Sequence, residues 1–313
     1  MENRNLGAFL ESLEEDFPPE RLIRNFPLNN LTTYGVGGPA DLFIKVDSYK
    51  ELELLIPRLR LLSAPLLLIG NGSNILISDE GFKGVALQLG ERFEEILIQD
   101  TTVKAGGASK LPVVARKTVN SGLAGFEWAV GVPGTIGGAV RMNAGGHGSD
   151  MAASLIEVKI ADMSAIGKEV FRSVPLSELN LSYRDSSIKN TDLVVEATLR
   201  LNIAKKEDSE QLLKEIVRWR RENQPGGKNS GSVFTNPDGD SAGRLIEAAG
   251  LKGFKVGSAS VSEKHANFIQ VEGNGSAKDV KELMERVIIE VKKVHSVSLT
   301  PETICVGFDR DLS

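Results

Sequence analysis

IGNGSNILIS, residues 69–78, decides the fold. Gly70 and Gly72 follow the apolar run PLLLIG, where a dinucleotide-binding strand would turn into its phosphate-binding helix. Here Gly-x-Gly-x-x runs into Ile75, and ILIS reads as a second strand rather than a helix opening. A Rossmann domain is therefore not expected.

A second glycine cluster, GVPGTIGGAVRMNAGGHG at 131–148, holds seven glycines. Glycine lets backbone N–H groups turn inward and approach an anion closely, so such segments cradle diphosphates. The absence of Gly-Lys-Ser/Thr excludes a P-loop. Tight turns between packed strands would explain either cluster alone. With two clusters, one beside Asn71 and Asn74, an anionic cofactor is an equal reading.

The 313 residues exceed one ordinary core, so two or three domains are expected. A hydrophobic content of 41% and a charged content of 25% are those of a soluble globular protein. The formal net charge of −5 argues against general nucleic-acid binding, which needs a basic footprint, but permits a local cationic pocket. A lone cysteine, Cys305, fits a reducing cytoplasm. The N-terminal MENRNLGAFLESLEEDFPPERL carries acids through its apolar positions, unlike a signal peptide. LRLLSAPLLLIG is too short and too interrupted for a membrane helix, which needs roughly 20 apolar residues. An intracellular protein without membrane insertion is expected.

Ser48 and Glu51 have capping-box spacing ahead of the helix LELLIPRLR. Strands are expected at NILIS, GVALQL, EEILIQ and TVKAGG, and a helix at LPVVARKTVNSG. SLIEVKIAD, KEVFRSV and the longer LVVEATLRLNI follow as strands. The texture changes near residues 201–206. EDSEQLLKEIVRWRREN predicts a helix with Leu212, Leu213, Ile216 and Val217 on one face. Arg220 continues that face, either as a cation meeting the helix dipole or as an arginine delivered into a pocket. SAGRLIEAAGLKG predicts a short helix ended by glycine, and ANFIQVEG a strand. SAKDVKELMERVIIEVKKV predicts an amphipathic helix with apolar positions 280, 283, 284, 287, 288 and 291. ETICVGF is a last strand.

His147, His265 and His295 lack ligand spacing, so no metal site is expected, and His265 reads as a satisfied structural residue. SYRDSSIKN places Tyr183, Arg184 and Asp185 before a long strand, where a turn-exposed charge pair is the simplest reading. Glu302 stands at the entrance of the last strand. QPGGKNSGSVFTNP raises a sharper question, because packing gains little from Ser230, Gly231 and Ser232 there, and no Gly-x-Ser-x-Gly elbow surrounds Ser232.

In order, TTYGVGGPADLF, IGNGSNILISDEGFKG, GVPGTIGGAVRMNAG, SYRDS, QPGGKNSGSVFTNP, SEKHANFI and LTPETICVG resemble the UDP-N-acetylenolpyruvoylglucosamine reductase (MurB) family over residues 25–308. The resemblance implies an α+β fold of the vanillyl-alcohol-oxidase type. Two subdomains, 1–83 and 84–203, would grip non-covalent FAD, with 303–313 returning to the first. A third, 204–302, would bind the UDP-sugar. The short YRDSSIKN–LVVEA linker implies the shorter, second subtype.

The resemblance also implies that Gly70, Asn71, Gly72, Ser73 and Asn74 hold the cofactor with Gly131, Pro133, Gly134, Thr135, Gly137 and Gly138, their backbone donors reaching the diphosphate. NADPH would reduce FAD, and hydride would pass from N5 to C3 of UDP-N-acetylglucosamine enolpyruvate. By the same resemblance Ser232 gives the proton to C2, and Arg184 and Glu302 complete the catalytic set. A guanidinium can pair with the substrate carboxylate and gain strength as charge develops. Glu302 must then be protonated or bonded as a donor, a state that burial would favour. Tyr183, Arg220 and Asn236 fall at substrate-binding positions. The family's common lysines are replaced by Asn223 and Thr235, which weakens phosphate binding unless Arg221 or Lys228 compensates. Ser230 replaces the usual alanine or cysteine. A flavin-dependent hydroxy-acid or sugar oxidase on the same fold is the alternative, and a non-redox nucleotide-sugar binder a third reading. A monomer is compatible with all three.

Overall fold

Apolar strands build the sheets, and side-chain caps set the starts of four helices, at Ser48, Thr135, Ser241 and Ser276. The structure, a computed structural model, describes residues 3–62, 64–166 and 169–308. The expected return of 303–313 thus lies outside the described residues from 309 onward, as does Lys168 of KEVFRSV. The chain divides into two compact units, Met1–Asn25, Asp41–Asn71 and Gly84–Trp219 in the first, and Phe26–Ala40, Gly72–Lys83 and Arg220–Ser313 in the second.

In unit 1, helices α1 (Asn3–Glu11) and α2 (Tyr49–Leu62) cover a four-stranded sheet ordered Leu22–Pro27, Pro39–Val46, Phe82–Leu89, Leu66–Leu68. Leu6 and Phe9 of α1 and Leu52, Leu55 and Ile56 of α2 pack on Leu42, Ile44 and Leu87. The Glu51 N–H donates to Ser48 Oγ at 3.2 Å, as the capping spacing predicts. The Glu51 carboxylate takes Asp47 N–H at 2.7 Å and pairs with Arg21, so the box closes one residue early.

A second, antiparallel sheet runs Phe171–Pro175, Leu155–Asp162, Asp192–Arg200, Thr102–Gly106, Ile96–Gln99. Helices α3 (Leu111–Asn120) and α4 (Ile136–Arg141) pack on it through Leu111, Val114, Ile136 and Val140. LVVEATLRLNI is not one strand. It breaks at Leu201, and Asn202–Ile203 pairs with Leu123–Ala124 instead.

Helix α5 spans Lys206–Asn223. Its inward stripe is narrower than the predicted face. Ile216 is buried and Leu213 packs on the core, whereas Leu212 and Val217 are exposed. Ser209, Leu213 and Ile216 follow a single 4,3 spacing, so flanking apolar positions stay in water.

In unit 2, α6 (Ala242–Ala248) and α7 (Ala277–His295) flank a three-stranded antiparallel sheet of Lys255–Val256, Ala259–Val261 and Ile269–Val271. Leu245, Ile246, Val280, Leu283, Met284 and Val287 form the core with Tyr34, Val233 and Phe234. Ser276 Oγ caps α7 by accepting from Asp279 N–H, and both Asp79 oxygens accept from the N–H groups of Ala277 and Lys278. Three N-terminal donors that a helix cannot satisfy itself are thereby paired. Ile304–Val306 runs parallel to Ile75–Ile77, carrying Glu302 to the start of ILIS, beside Asn74.

Candidate functional site

Ser232 lies on an extended segment that backbone pairing holds against Thr300–Thr303. Thr235 N–H donates to Thr300 O at 3.0 Å, and Glu302 N–H donates to Val233 O at 2.7 Å. From behind, the Asn267 side chain accepts from Phe234 N–H at 3.0 Å and donates to Phe234 O at 2.8 Å, and Val233 N–H reaches Asn267 O. Gly231, at φ 79°, makes the turn that delivers Ser232, a conformation that favours glycine. The half-buried Ser232 hydroxyl bonds to no described residue. The structure therefore brings Ser232 and Glu302 together on neighbouring segments of unit 2.

Two further contacts brace this pair. The hydroxyls of Ser230 and Thr303, one on each segment, are hydrogen-bonded at 3.2 Å and buried. Asn74 Nδ2 donates to Glu302 O at 3.0 Å, while Asn74 O accepts from Ile304 N–H. The amide of Asn74 is thus committed to the Glu302 backbone. Beneath lies Tyr34, fully buried, whose hydroxyl makes no well-formed hydrogen bond with a described residue. Burial pushes its pKa well above the ordinary range, and the nearby Ser230 hydroxyl pulls it only partly back.

Asn236 is exposed and uses its Oδ1 to accept from Ala242 N–H at 3.0 Å, at the start of α6. Arg220 is half-buried near the end of α5, and its guanidinium bonds to no described residue. Burial lowers its pKa from the ordinary arginine value. A partly desolvated cation without an anion is poised for an anionic ligand. Lys228 is spoken for, because its Nζ donates to Gly273 O at 2.9 Å. Thr235 Oγ1 likewise turns to Thr300 O. Of the two compensating cations, Arg221 alone keeps an exposed side chain without a described partner.

Arg184 belongs to unit 1. Ser182 and Asp185 exchange backbone hydrogen bonds of 3.1 and 3.3 Å across a tight turn with Tyr183 and Arg184 at its tip. Arg184 has φ 60°, a strained conformation for a non-glycine residue. Its guanidinium lies 5.1 Å from the Tyr183 ring centroid, and its Nη2 donates to Gly145 O at 3.2 Å. Tyr183 is 58% exposed.

The two glycine clusters also meet within unit 1. A Cβ on Gly70 would lie 2.6 Å from Thr135 Oγ1, so only glycine permits this approach. The N–H groups of Gly70, Asn71, Gly134 and Thr135 donate to no described acceptor, although Gly134 and Thr135 are buried. Backbone donors in that state suit a diphosphate, and on this ground the residues fit FAD. The neighbouring donors are already used. Ile136 N–H goes to Ser109 O, Gly137 N–H to Gly107 O and Gly138 N–H to Thr135 Oγ1. For Gly137 and Gly138 any cofactor role rests on close approach, not on donation. Gly131 and Pro133 lie on the same segment, half-buried and exposed respectively; Gly72 and Ser73 follow Asn71 in unit 2.

No group of three metal-ligating side chains occurs among the described residues. His265 is a structural residue, accepting from Asn267 N–H and packing edge-on against Phe268. No described helix is long and apolar enough to cross a membrane.

Residues 40–168, which contain the unspent donors, match the family model of an FAD-binding domain, and the class is that of an FAD-dependent oxidoreductase. Residues 223–306, which contain Ser232 and Glu302, match the C-terminal domain model of UDP-N-acetylenolpyruvoylglucosamine reductase. A relative from Symbiobacterium thermophilum, UDP-N-acetylenolpyruvoylglucosamine reductase 2, is 40% identical over 286 residues, spanning 91% of this chain and 92% of its own. The crystal structure of the reductase (MurB) from Thermus caldophilus is 35% identical, with a TM-score of 0.78 over 91% of this chain and 99% of that one. The chain belongs to the UDP-N-acetylenolpyruvoylglucosamine reductase (MurB) family. Phl p 4.0202, a glucose dehydrogenase, is only 12% identical at a TM-score of 0.51 and shares the fold alone.

Proposed function

We propose that this chain reduces the enolpyruvyl ether of UDP-N-acetylglucosamine enolpyruvate to UDP-N-acetylmuramate with NADPH, in peptidoglycan precursor synthesis. When bound, FAD supplies the hydride transfer from NADPH to C3 of the substrate. The chain's own residues handle the remaining charge and the proton. Addition at C3 leaves negative charge at C2 and in the adjacent carboxylate. Arg184 pairs with that carboxylate, and the pairing strengthens as the charge grows. Ser232 gives its proton to C2, and Glu302, in a proton-donating state, stabilises the same charge.

The observation that carries this reading is the Ser232 hydroxyl, half-buried and without a partner among the described residues, beside Glu302. A serine kept only for its turn would spend that hydroxyl on the backbone. Arg220, a cation with no anion among the described residues, is assigned to the substrate diphosphate, and Tyr183 and Asn236 to further substrate contacts. Gly70, Asn71, Gly134 and Thr135 hold the cofactor diphosphate, with Gly72, Ser73, Asn74, Gly131, Pro133, Gly137 and Gly138 shaping the segments around it. The corresponding domain division is 1–83 and 84–203 for the cofactor and 204–302 for the UDP-sugar.

An absorption spectrum tests the proposal. Purified protein should be yellow, bleach on adding NADPH, and regain colour on adding the enol ether. Colourless protein that takes up no FAD, or bleached protein that the enol ether leaves bleached, would overturn it.

A further inference from the structure

The Arg184 turn is stitched to the segment Arg141–Gly145 at three points. Ser186 Oγ donates to Arg141 O at 2.7 Å, Asn143 Nδ2 donates to Ser182 O at 2.9 Å, and Arg184 Nη2 donates to Gly145 O at 3.2 Å. The middle stitch differs from the others because one buried side chain fastens two stretches of backbone and a carboxylate. Asn143 Nδ2 also reaches Asp150 Oδ2 at 3.3 Å, and its Oδ1 accepts from Ala152 N–H at 3.1 Å. Both its polar atoms are thereby committed.

Asn143 is 4% exposed and sits at φ 37°, where asparagine is among the few side chains readily tolerated. It grips the hairpin that carries Gly145, since Gly145 pairs with Asp150 and Gly146 with Ser149. The same amide therefore holds the carbonyl from which the Arg184 turn springs and the hairpin whose carbonyl receives the Arg184 guanidinium. Arg184 needs such support, because a left-handed non-glycine residue persists only where its surroundings over-determine it.

We infer that Asn143 is the positioning residue for Arg184, fixing the guanidinium at the height and angle that substrate-carboxylate pairing requires. This rests on the assignment of Arg184 to the carboxylate. A bidentate guanidinium pair is directional, so a turn that drifts loses more than a flexible point charge would.

The test measures the two half-reactions separately in Asn143→Gly, which keeps the left-handed backbone and removes the amide. Oxidation of the NADPH-reduced protein by the enol ether should slow by about 100-fold, the scale of a misplacement near 1 Å. Flavin content and bleaching by NADPH should match wild type. Asn143→Asp, which keeps the acceptor for Ala152 and loses the donor to Ser182, should show the same loss and serves if the glycine variant fails to fold. On an Arg184→Ala background, Asn143→Gly should cost nothing further. Calorimetry gives a second readout: the preference for the enol ether over UDP-N-acetylglucosamine, which lacks the carboxylate, should shrink. Equal slowing of both half-reactions, or the same loss without Arg184, would make Asn143 a purely structural residue. Wild-type turnover alongside unimpaired variants would overturn this inference alone, whereas inert wild-type protein would overturn the functional reading and the inference together.

Discussion

The Arg184 turn and the Ser232 segment solve the same problem, holding one functional group still, by opposite means. Ser232 is held chiefly by backbone, through the pairing of Val233 and Thr235 with Thr300–Glu302 and with the Asn267 amide behind Phe234, and its own hydroxyl bonds to no described residue. Arg184 is held by side chains, at φ 60°, on a turn fastened by Asn143 and Ser186 and by its own guanidinium. Backbone pairing survives almost any side-chain change, whereas side-chain fastening fails with one substitution. A proton donor must approach closely and leave its hydrogen free, which suits the first device. A charge clamp needs angular control, which suits the second.

On the Arg184 side the largest expected effect comes from removing the clamp itself. Arg184→Ala should lower the rate of product formation by roughly 10²–10³-fold, the cost of losing one preorganised stabilising donor, with bleaching by NADPH unchanged in stopped flow. Next is the support behind the Ser232 segment. Asn267→Ala leaves the buried N–H and C=O of Phe234 unpaired and should cost about 2–4 kcal/mol in denaturant unfolding, because each orphaned group costs about 1–3 kcal/mol. A stability loss well under that range would mean that backbone pairing alone carries the segment.

Smaller still is the hydroxyl clasp between the Ser232 and Glu302 segments. Thr303→Val strands the buried Ser230 hydroxyl and should destabilise by about 1–2 kcal/mol, while the Ser230→Ala and Thr303→Val pair together should cost less than the sum. The least effect concerns Asp279, whose carboxyl is held below its usual range by hydrogen bonds from the Ser258 hydroxyl and N–H. Its folded value lies below its unfolded one, so its contribution is present above the unfolded value, about 3.9, and fades as pH falls through the folded one. Acid titration of stability in Asp279→Asn should lack that component.

What was legible follows from the same physics. Strand alternation placed ILIS, SLIEVKIAD and LVVEATLR, and the failed fingerprint after Gly72 ruled out a Rossmann domain. Helix α4 went unread because Gly137 and Gly138 look like turn residues, although Thr135 before Ile136, Ala139 and Val140 is a cap ahead of an i, i+3, i+4 stripe. The breadth of the α5 face was overread, since periodicity shows which residues share a side but not how much of it docks. Asn143 gave no signal at all. It has no periodic partner, and the carbonyl it holds lies 39 residues away. Ser232 raises a question in the sequence itself, but its link to Glu302 comes only through the family resemblance, because 70 residues separate two segments that the fold sets side by side.

The two half-reactions of Ser232→Ala, followed separately at single turnover, test the central claim most directly. The expected result is bleaching by NADPH at the wild-type rate and formation of UDP-N-acetylmuramate about 10²–10⁴-fold more slowly. Product formation at the wild-type rate would contradict it, leaving Ser232 a turn residue and the proton without a donor.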